Sequence, residues 1–390
     1  MEICKTELCT GCGMCTNLCP KKAITMHKGL HGFIYPTINE ELCINCGLCN
    51  SRCPANQNTP SETNVKQFLA AWNRDIKVRK RSTSGGIFTI LAEQILSCDG
   101  VVAGVKWDNN FCATHCIIES LDELYRVNGS KYVQSDTNSI YHDVKKVLSS
   151  GGKVLFSGTP CQNHALTMFL GKDYDNLIQV DLVCHGVPTY EMLNKYLDEL
   201  KQSENGDAVS TVQLRYKHPY WDFCTVHVDF ENGKQYEKLT VDDPYYTLFN
   251  IGYSLRERCR SCKYASLHRY GDITLADFWS FTPHDFKMGD YNKGVSLVML
   301  NSEKGAELFD SIKDKTNYEV STIDKAKSSN KSLSEPFSLP DDQVQNFWLD
   351  YENGNSVNDL CKKYVPNPYK VPNMINLRRL KRRYGWIFKR

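Results

Sequence analysis

Eight of the eighteen cysteines fall into two copies of one pattern. Cys9, Cys12, Cys15 and Cys19-Pro20, then Cys43, Cys46, Cys49 and Cys53-Pro54, both read C-x2-C-x2-C-x3-C-P. That spacing lets three thiolates surround one 4Fe-4S cubane while the fourth reaches a second cubane. The expected assignment is therefore crossed, with Cys9, Cys12, Cys15 and Cys53 on one cluster and Cys43, Cys46, Cys49 and Cys19 on the other. Gly11, Gly13 and Gly47 stand between ligands, where the chain must wrap closely. Disulfides and zinc are the rival chemistries. A disulfide framework belongs to small secreted chains, and residues 1–8 carry charges and no apolar core of a signal peptide. Zinc knuckles pair C-x2-C and would leave the third and fourth cysteine of each run without a role. Thiolates kept free for clusters imply a reducing compartment, so a cytoplasmic protein is expected.

A third knuckle, Cys259-x2-Cys262, is flanked by Arg256, Arg258, Arg260 and Lys263. Two cysteines cannot hold a cubane alone. Cys161 follows an apolar run at 153–156, and Cys184 ends another at 177–184. If strand, helix and strand form a right-handed unit, both cysteines emerge at the C-terminal edge of one sheet, where α/β proteins place their sites. A third cubane on Cys161, Cys184, Cys259 and Cys262, a zinc ion on the same four, and a reactive thiol at Cys161 remain open on spacing alone. Cys4, Cys98, Cys112, Cys116, Cys224 and Cys361 have no ligand spacing and read as ordinary buried or surface thiols. Ser84-Gly85-Gly86 precedes an amphipathic run, a helix start at which free N–H groups could receive a phosphate, and Ser130-Lys131 adds a cation in a loop. Both segments also read as plain turns, and neither is a Walker loop or a dinucleotide fingerprint. No catalytic residue is identified.

The elements that must position these groups follow from periodicity. Residues 1–56 form the dicluster head, and the polar, turn-rich stretch 57–66 is the linker. Over 67–315, short β-rich runs at 100–106, 113–119, 153–156, 177–184, 272–278 and 294–300 alternate with helical spacing at 87–97, 140–149, 162–170 and 190–201. Ser120-x-x-Glu123 reads as a capping box. Alternating segments about 209–240, with a turn at 231–233, predict an antiparallel insertion. The fold class expected is an α+β ferredoxin-like dicluster domain followed by an α/β domain with that insertion. The chain loses strand signals after Lys313, so 316–390 reads as an accessory tail. The composition is balanced, 41% hydrophobic and 24% charged with net charge +2, which predicts no nucleic-acid partner. The end, 376–390, holds seven basic residues and no acidic one, with apolar residues at helical spacing. That pattern suits a peripheral segment on an anionic membrane surface, and equally a solvated or partner-docking tail.

Taken in order, the cysteine repeats, STSGG (82–86), GSKYVQSD (129–136), VLFSGTPCQ (154–162), VDLVCHGVP (180–188), CRSCKYA (259–265) and DITLADFW (272–279) resemble the coenzyme F420 hydrogenase/dehydrogenase beta subunits over about residues 1–310. The resemblance implies an FAD-containing domain fed by iron-sulfur clusters, with hydride passing to or from a low-potential carrier such as a deazaflavin. It implies FAD contacts at Ser84, Gly85, Gly86, Ser130 and Lys131, and cluster ligation rather than zinc at Cys161, Cys184, Cys259 and Cys262. A redox partner protein or reduced ferredoxin and a small-molecule acceptor are implied as partners. The family also includes reductases of other molecules, and copies in bacteria with surface-polysaccharide gene clusters. This chain departs from the pattern at Ala276, where a glycine is usual, and at Asn163-His164-Ala165, which lacks one. Two other readings stand beside an iron-sulfur flavin oxidoreductase: a non-catalytic electron-transfer subunit, and a zinc-stabilised interaction protein with a redox-sensing head.

Overall fold

The computed structural model describes residues 2–279, 281 and 291–365. The first of its thirteen strands, β1 (Ile24–Lys28) and β2 (Ile34–Ile38), form an antiparallel hairpin between the two cysteine runs. The body is built on β3 (Gln67–Asn73), β4 (Val101–Trp107), β5 (Ala113–Ile118), β6 (Val154–Ser157), β7 (Leu177–Leu182), β8 (Val209–Tyr216), β9 (Thr225–Phe230), β10 (Gln235–Leu239), β11 (Ile273–Asp277), β12 (Ser296–Leu300) and β13 (Thr316–Val320). Eight of these make one mixed sheet in the order β13-β3-β12-β11-β7-β6-β4-β5. Its centre, β11-β7-β6-β4, is parallel. Both flanks are antiparallel. A separate antiparallel sheet, β10-β9-β8, carries the alternating segments.

Alternation along β6 shows how the layers divide. Leu155 packs with the helix Ile87–Leu96 on one face, while Val154 and Phe156 face a cluster that includes Met14, Cys15 and Ile24 of the head. The head and body thus share an apolar core. Polar contacts reinforce it: Tyr141 Oη donates to the Cys12 carbonyl at 2.7 Å, His142 Nε2 bonds the Asn17 carbonyl at 2.6 Å, and Asn17 Nδ2 donates to the Asn138 carbonyl at 2.7 Å. The segment after the head is also fixed. Asn64 exchanges two hydrogen bonds with the Arg269 backbone, each 2.9 Å, and His268 Nδ1 bonds the Glu62 carbonyl.

Two local expectations are corrected. Ser120 makes no side-chain cap; instead the Glu123 carboxylate accepts from the Glu119 N–H at 3.1 Å. Residues 316–365, read as part of an accessory tail, are built into the body. Thr316–Val320 is an edge strand of the main sheet, and the helices Asp341–Glu352 and Val357–Tyr364 bury Phe347, Trp348, Val357 and Leu360 in the core of the small sheet. His31 of the head even stacks on Trp348 at 4.4 Å. The edge strand, TNYEV, is only five residues long, and Tyr318 and Val320 at its alternate positions are exposed, so its short alternation marks no buried face. Phe347→Ala should cost about 3–5 kcal/mol, the range for a fully buried phenylalanine, and lower the urea midpoint accordingly. A change under about 0.5 kcal/mol would return this segment to tail status. The basic stretch 376–390 lies outside the described residues. Among the described residues, no helix is long and apolar enough to cross a membrane.

Candidate redox site

The cysteine runs fold as short turns that begin at glycines. Gly13 and Gly47 hold positive φ, 69° and 73°, at the starts of the helices Met14–Leu18 and Leu48–Ser51, which turn the following cysteines inward. Cys9, Cys12, Cys15 and Cys53 line one small cavity, and Cys19, Cys43, Cys46 and Cys49 line another. The fourth cysteine of each run thus sits among the first three of the other. Both cavities are otherwise largely apolar, Met14, Met26 and Pro36 at the first and Ile24, Ile38 and Ile44 at the second. Four thiol sulfurs around an apolar space is the donor set a cubane takes. Among the described residues, no three His, Cys, Asp or Glu side chains converge on a single ion. The cysteines flank cavities instead of closing on a point.

Cys4, read from the sequence as an ordinary thiol, is a fifth cysteine in the first cavity. Its thiol hydrogen-bonds to those of Cys53 and Cys9, bringing Cys9 down to about 6 and Cys53 to about 7. Burial pushes Cys12 up to about 12.

The remaining four cysteines are brought together by the sheet edge. Pro160–Leu170 follows β6 directly, started by a reciprocal cap in which the Thr159 N–H donates to Gln162 Oε1 at 3.0 Å. Cys161 lies in its first turn, 3.1 Å from Thr159 Oγ1. Cys184 leaves the parallel neighbour β7 at the same edge. Gly186 allows the strand exit to pass the third knuckle, since a Cβ there would lie 3.1 Å from Cys259 Cβ and 2.9 Å from Leu255. Burial raises all four thiols, Cys184 and Cys259 to about 12, and repulsion from neighbouring thiols adds to the rise at Cys161, Cys184 and Cys259. Cys161 feels Cys184, Cys262 and also Cys12 of the head. Such a set becomes four thiolates only when cationic metal compensates the charge.

Above this edge opens a cavity of about 590 Å³. Cys12, Cys161 and Cys184 line it, together with Ser84, Gly86, Ser130 and Lys131. Lys131 Nζ donates to the carbonyls of Asn128 (3.0 Å) and Gly129 (3.2 Å), and burial pushes its pKa down to about 8. Gly85 does not line the cavity. It is wedged between β3 and β12, where a Cβ would stand 2.5 Å from the Ala71 carbonyl, and its N–H donates to Ser296 Oγ at 2.9 Å. Of the departures from the family pattern, Ala276 lines the cavity, whereas Asn163 and His164 do not. Asn163 Nδ2 instead ties the helix to the carbonyls of Gly158 (3.0 Å) and Val180 (3.3 Å).

Three cations are structural. Arg256, fully buried, donates to the carbonyls of Cys9 (2.7 Å) and Ile34 (3.1 Å) and to Gln134 Oε1 (3.0 Å), with Tyr35 stacked 4.2 Å from its guanidinium. It therefore joins the first cysteine run to the loop of Cys259. Lys217 donates to the carbonyls of Arg79, Ser84 and Lys293, pinning the loop 82–86. Arg215 pairs with Asp277 across the two sheets and lines the large cavity, its Nη2 without an acceptor. His185 lines the cavity as well, but Nε2 faces the Phe249 carbonyl at 3.2 Å and the ring is held against Phe249 and Phe337. That arrangement orients the Cys184 loop.

A thiol-rich head docked on an α/β sheet edge with a cofactor-sized cavity defines an iron-sulfur protein of the oxidoreductase class. Comparison with known proteins gives the family. Residues 8–57 match the 4Fe-4S dicluster domain, residues 68–141 the N-terminal part of the coenzyme F420 hydrogenase/dehydrogenase beta subunit, and residues 151–326 its C-terminal part. The chain belongs to that beta-subunit family. A solved structure from the F420-reducing NiFe hydrogenase complex of Methanosarcina barkeri is similar at 17% identity and a TM-score of 0.44, covering 81% of this chain and 95% of that one. No curated protein matches.

Proposed function

We propose that the chain is an iron-sulfur flavoprotein oxidoreductase that moves electrons between 4Fe-4S clusters and FAD, and on to a low-potential hydride acceptor, a deazaflavin-type coenzyme or another small molecule. One observation carries this reading: a single cavity is lined by Cys12 of the first cysteine set, by Cys161 and Cys184 of the third, and by the Ser84/Gly86 helix start and Lys131. The head sets of Cys9, Cys12, Cys15 and Cys53, and of Cys19, Cys43, Cys46 and Cys49, would hold two cubanes, and Cys161, Cys184, Cys259 and Cys262 a third. FAD, when bound, converts between the one-electron exchange of clusters and the two-electron transfer of hydride. The cavity's volume lies within the range of about 300–1,000 Å³ usual for cofactor sites. Free N–H groups at the start of Ile87–Leu96, the Ser130 hydroxyl and the Lys131 ammonium supply what a pyrophosphate needs, while the Ser84 hydroxyl donates to the Val295 carbonyl at 3.0 Å. Thr10, Gly11 and Cys12 of the docked head form one wall of the cavity. In domain terms we read 1–56 as a ferredoxin-type module, 67–315 as the flavin and cluster body, and about 209–240 as an insertion in it.

A second reading, a non-catalytic electron-transfer subunit of a larger hydrogenase-type complex, is favoured by the surface of the second cysteine set. Cys46 is exposed there, and Leu42, Ile44 and Leu48 are 51%, 57% and 39% exposed around it, an apolar surface suited to a redox partner. Anaerobically purified protein analysed for iron, sulfide, zinc and extracted flavin tests both. About twelve irons, four for each of three cubanes, and one FAD per chain are expected. Zinc in place of four irons would overturn the third cluster. Absence of flavin, with no turnover of any acceptor by the chain alone, would leave the electron-transfer subunit.

A further inference from the structure

The first cysteine cavity holds one thiol more than a cubane can use. Cys4 lies there with Cys9, Cys12, Cys15 and Cys53, and its place is built, not incidental. The carbonyl of the preceding Ile3 accepts from Asn50 Nδ2 at 3.0 Å and from Asn56 Nδ2 at 2.9 Å, and Asn50 also reaches the Glu2 carbonyl at 3.2 Å. Two amides on either side of Cys53 therefore clamp the N-terminal segment beside it. Ile3 itself is buried in the core shared by head and body.

The five sulfurs are not equivalent. The Gly11 N–H donates to Cys9 Sγ at 3.4 Å. N–H to sulfur bonds of this kind accompany thiolates that carry metal. Cys4 lies against the sulfurs of Cys9 and Cys53. With Cys9 and Cys53 bound to metal as thiolates, Cys4 is the neighbouring thiol that still has an S–H to donate.

We propose that Cys4 is an accessory thiol of the first cluster, donating its S–H to the Cys9 and Cys53 sulfurs while those are ligands and replacing Cys53 as the fourth ligand when that sulfur is lost. The exchange involves no redox step: one iron–sulfur bond to Cys53 is given up, one to Cys4 forms, and the Cys4 proton leaves to solvent. The second cavity offers no such replacement, because its cysteines are only Cys19, Cys43, Cys46 and Cys49. The inference rests on the reading that the first cavity holds a cubane, and the unsubstituted protein's iron content tests that reading separately.

The experiment compares full-length wild type, Cys4→Ala, Cys53→Ala and the double variant, purified anaerobically, by iron and acid-labile sulfide per chain and by EPR of the reduced protein. Cys53→Ala is expected to keep its full iron with one cluster signal altered. The double variant is expected to lose about four irons, one cubane's worth, and to keep the second cluster's signal, which shows that the head is still folded. Cys4→Ala alone is expected to keep its iron and to shift the first cluster's midpoint to a more negative potential, because a hydrogen bond to a ligand sulfur stabilises the reduced cluster. Iron loss in Cys53→Ala equal to that of the double variant, or loss of both cluster signals in Cys53→Ala, overturns the ligand replacement. An unchanged midpoint in Cys4→Ala overturns the hydrogen-bond role.

Discussion

Cys19→Ala should strip iron from the second cysteine cavity and leave the first intact. Cys19 belongs by sequence to the first run, yet its side chain lines the space shared by Cys43, Cys46 and Cys49. Removing it leaves that cubane three thiolates, and the expected loss is about four irons per chain. The first cavity retains Cys9, Cys12, Cys15 and Cys53 and should keep its signal. Mössbauer or EPR spectra that show the first cluster missing and the second retained would reverse the crossed assignment.

The other large effect concerns Lys131. Its ammonium is the charge in the loop 128–132 that faces the cavity, held by the carbonyls of Asn128 and Gly129. Lys131→Glu replaces an attraction to phosphate with a repulsion. At about 5 Å and an effective dielectric constant of about 20, each term is on the order of 3 kcal/mol, so flavin affinity should fall at least about a hundredfold. Flavin released by denaturation, measured against protein, reads the loss directly, and full FAD occupancy in Lys131→Glu would put the cofactor elsewhere. Gly86→Val should also lower occupancy, by a different route. Gly86 sits at φ 83°, and a Cβ there would point at Ser82 Oγ (3.1 Å) and Asn73 (3.3 Å), not into the cavity. The substitution distorts the loop that presents the helix start.

What was legible in the sequence was what local chemistry specifies. Ligand spacing named the cysteine sets, and β-rich apolar runs named the four parallel strands, because strands buried on both faces are continuously apolar. What escaped was tertiary. β13 is a five-residue edge strand whose apolar positions Tyr318 and Val320 are exposed, so its short alternation marks no buried face. Arg256 stands in a basic run beside the third knuckle, and its three acceptors come from residues 9, 34 and 134, which no local pattern connects. Cys4 escaped because four residues separate it from the motif. Gly85 and Gly86 appear equivalent in sequence, and only packing shows that one serves the sheet and the other the helix start.

By its spacing the N-terminal head looks like a transferable cassette, and domain shuffling commonly moves such modules whole. Arg256 argues against free exchange in this lineage. A graft of another dicluster module would have to present two carbonyls and an aromatic ring to one buried guanidinium, or strand a charge with no water to solvate it. Lysine could not stand in, because the contacts need a planar fork. Compatible heads are therefore those that have been shaped against this body, and chimeras made by swapping heads should fail at the seam even where every cluster ligand is retained.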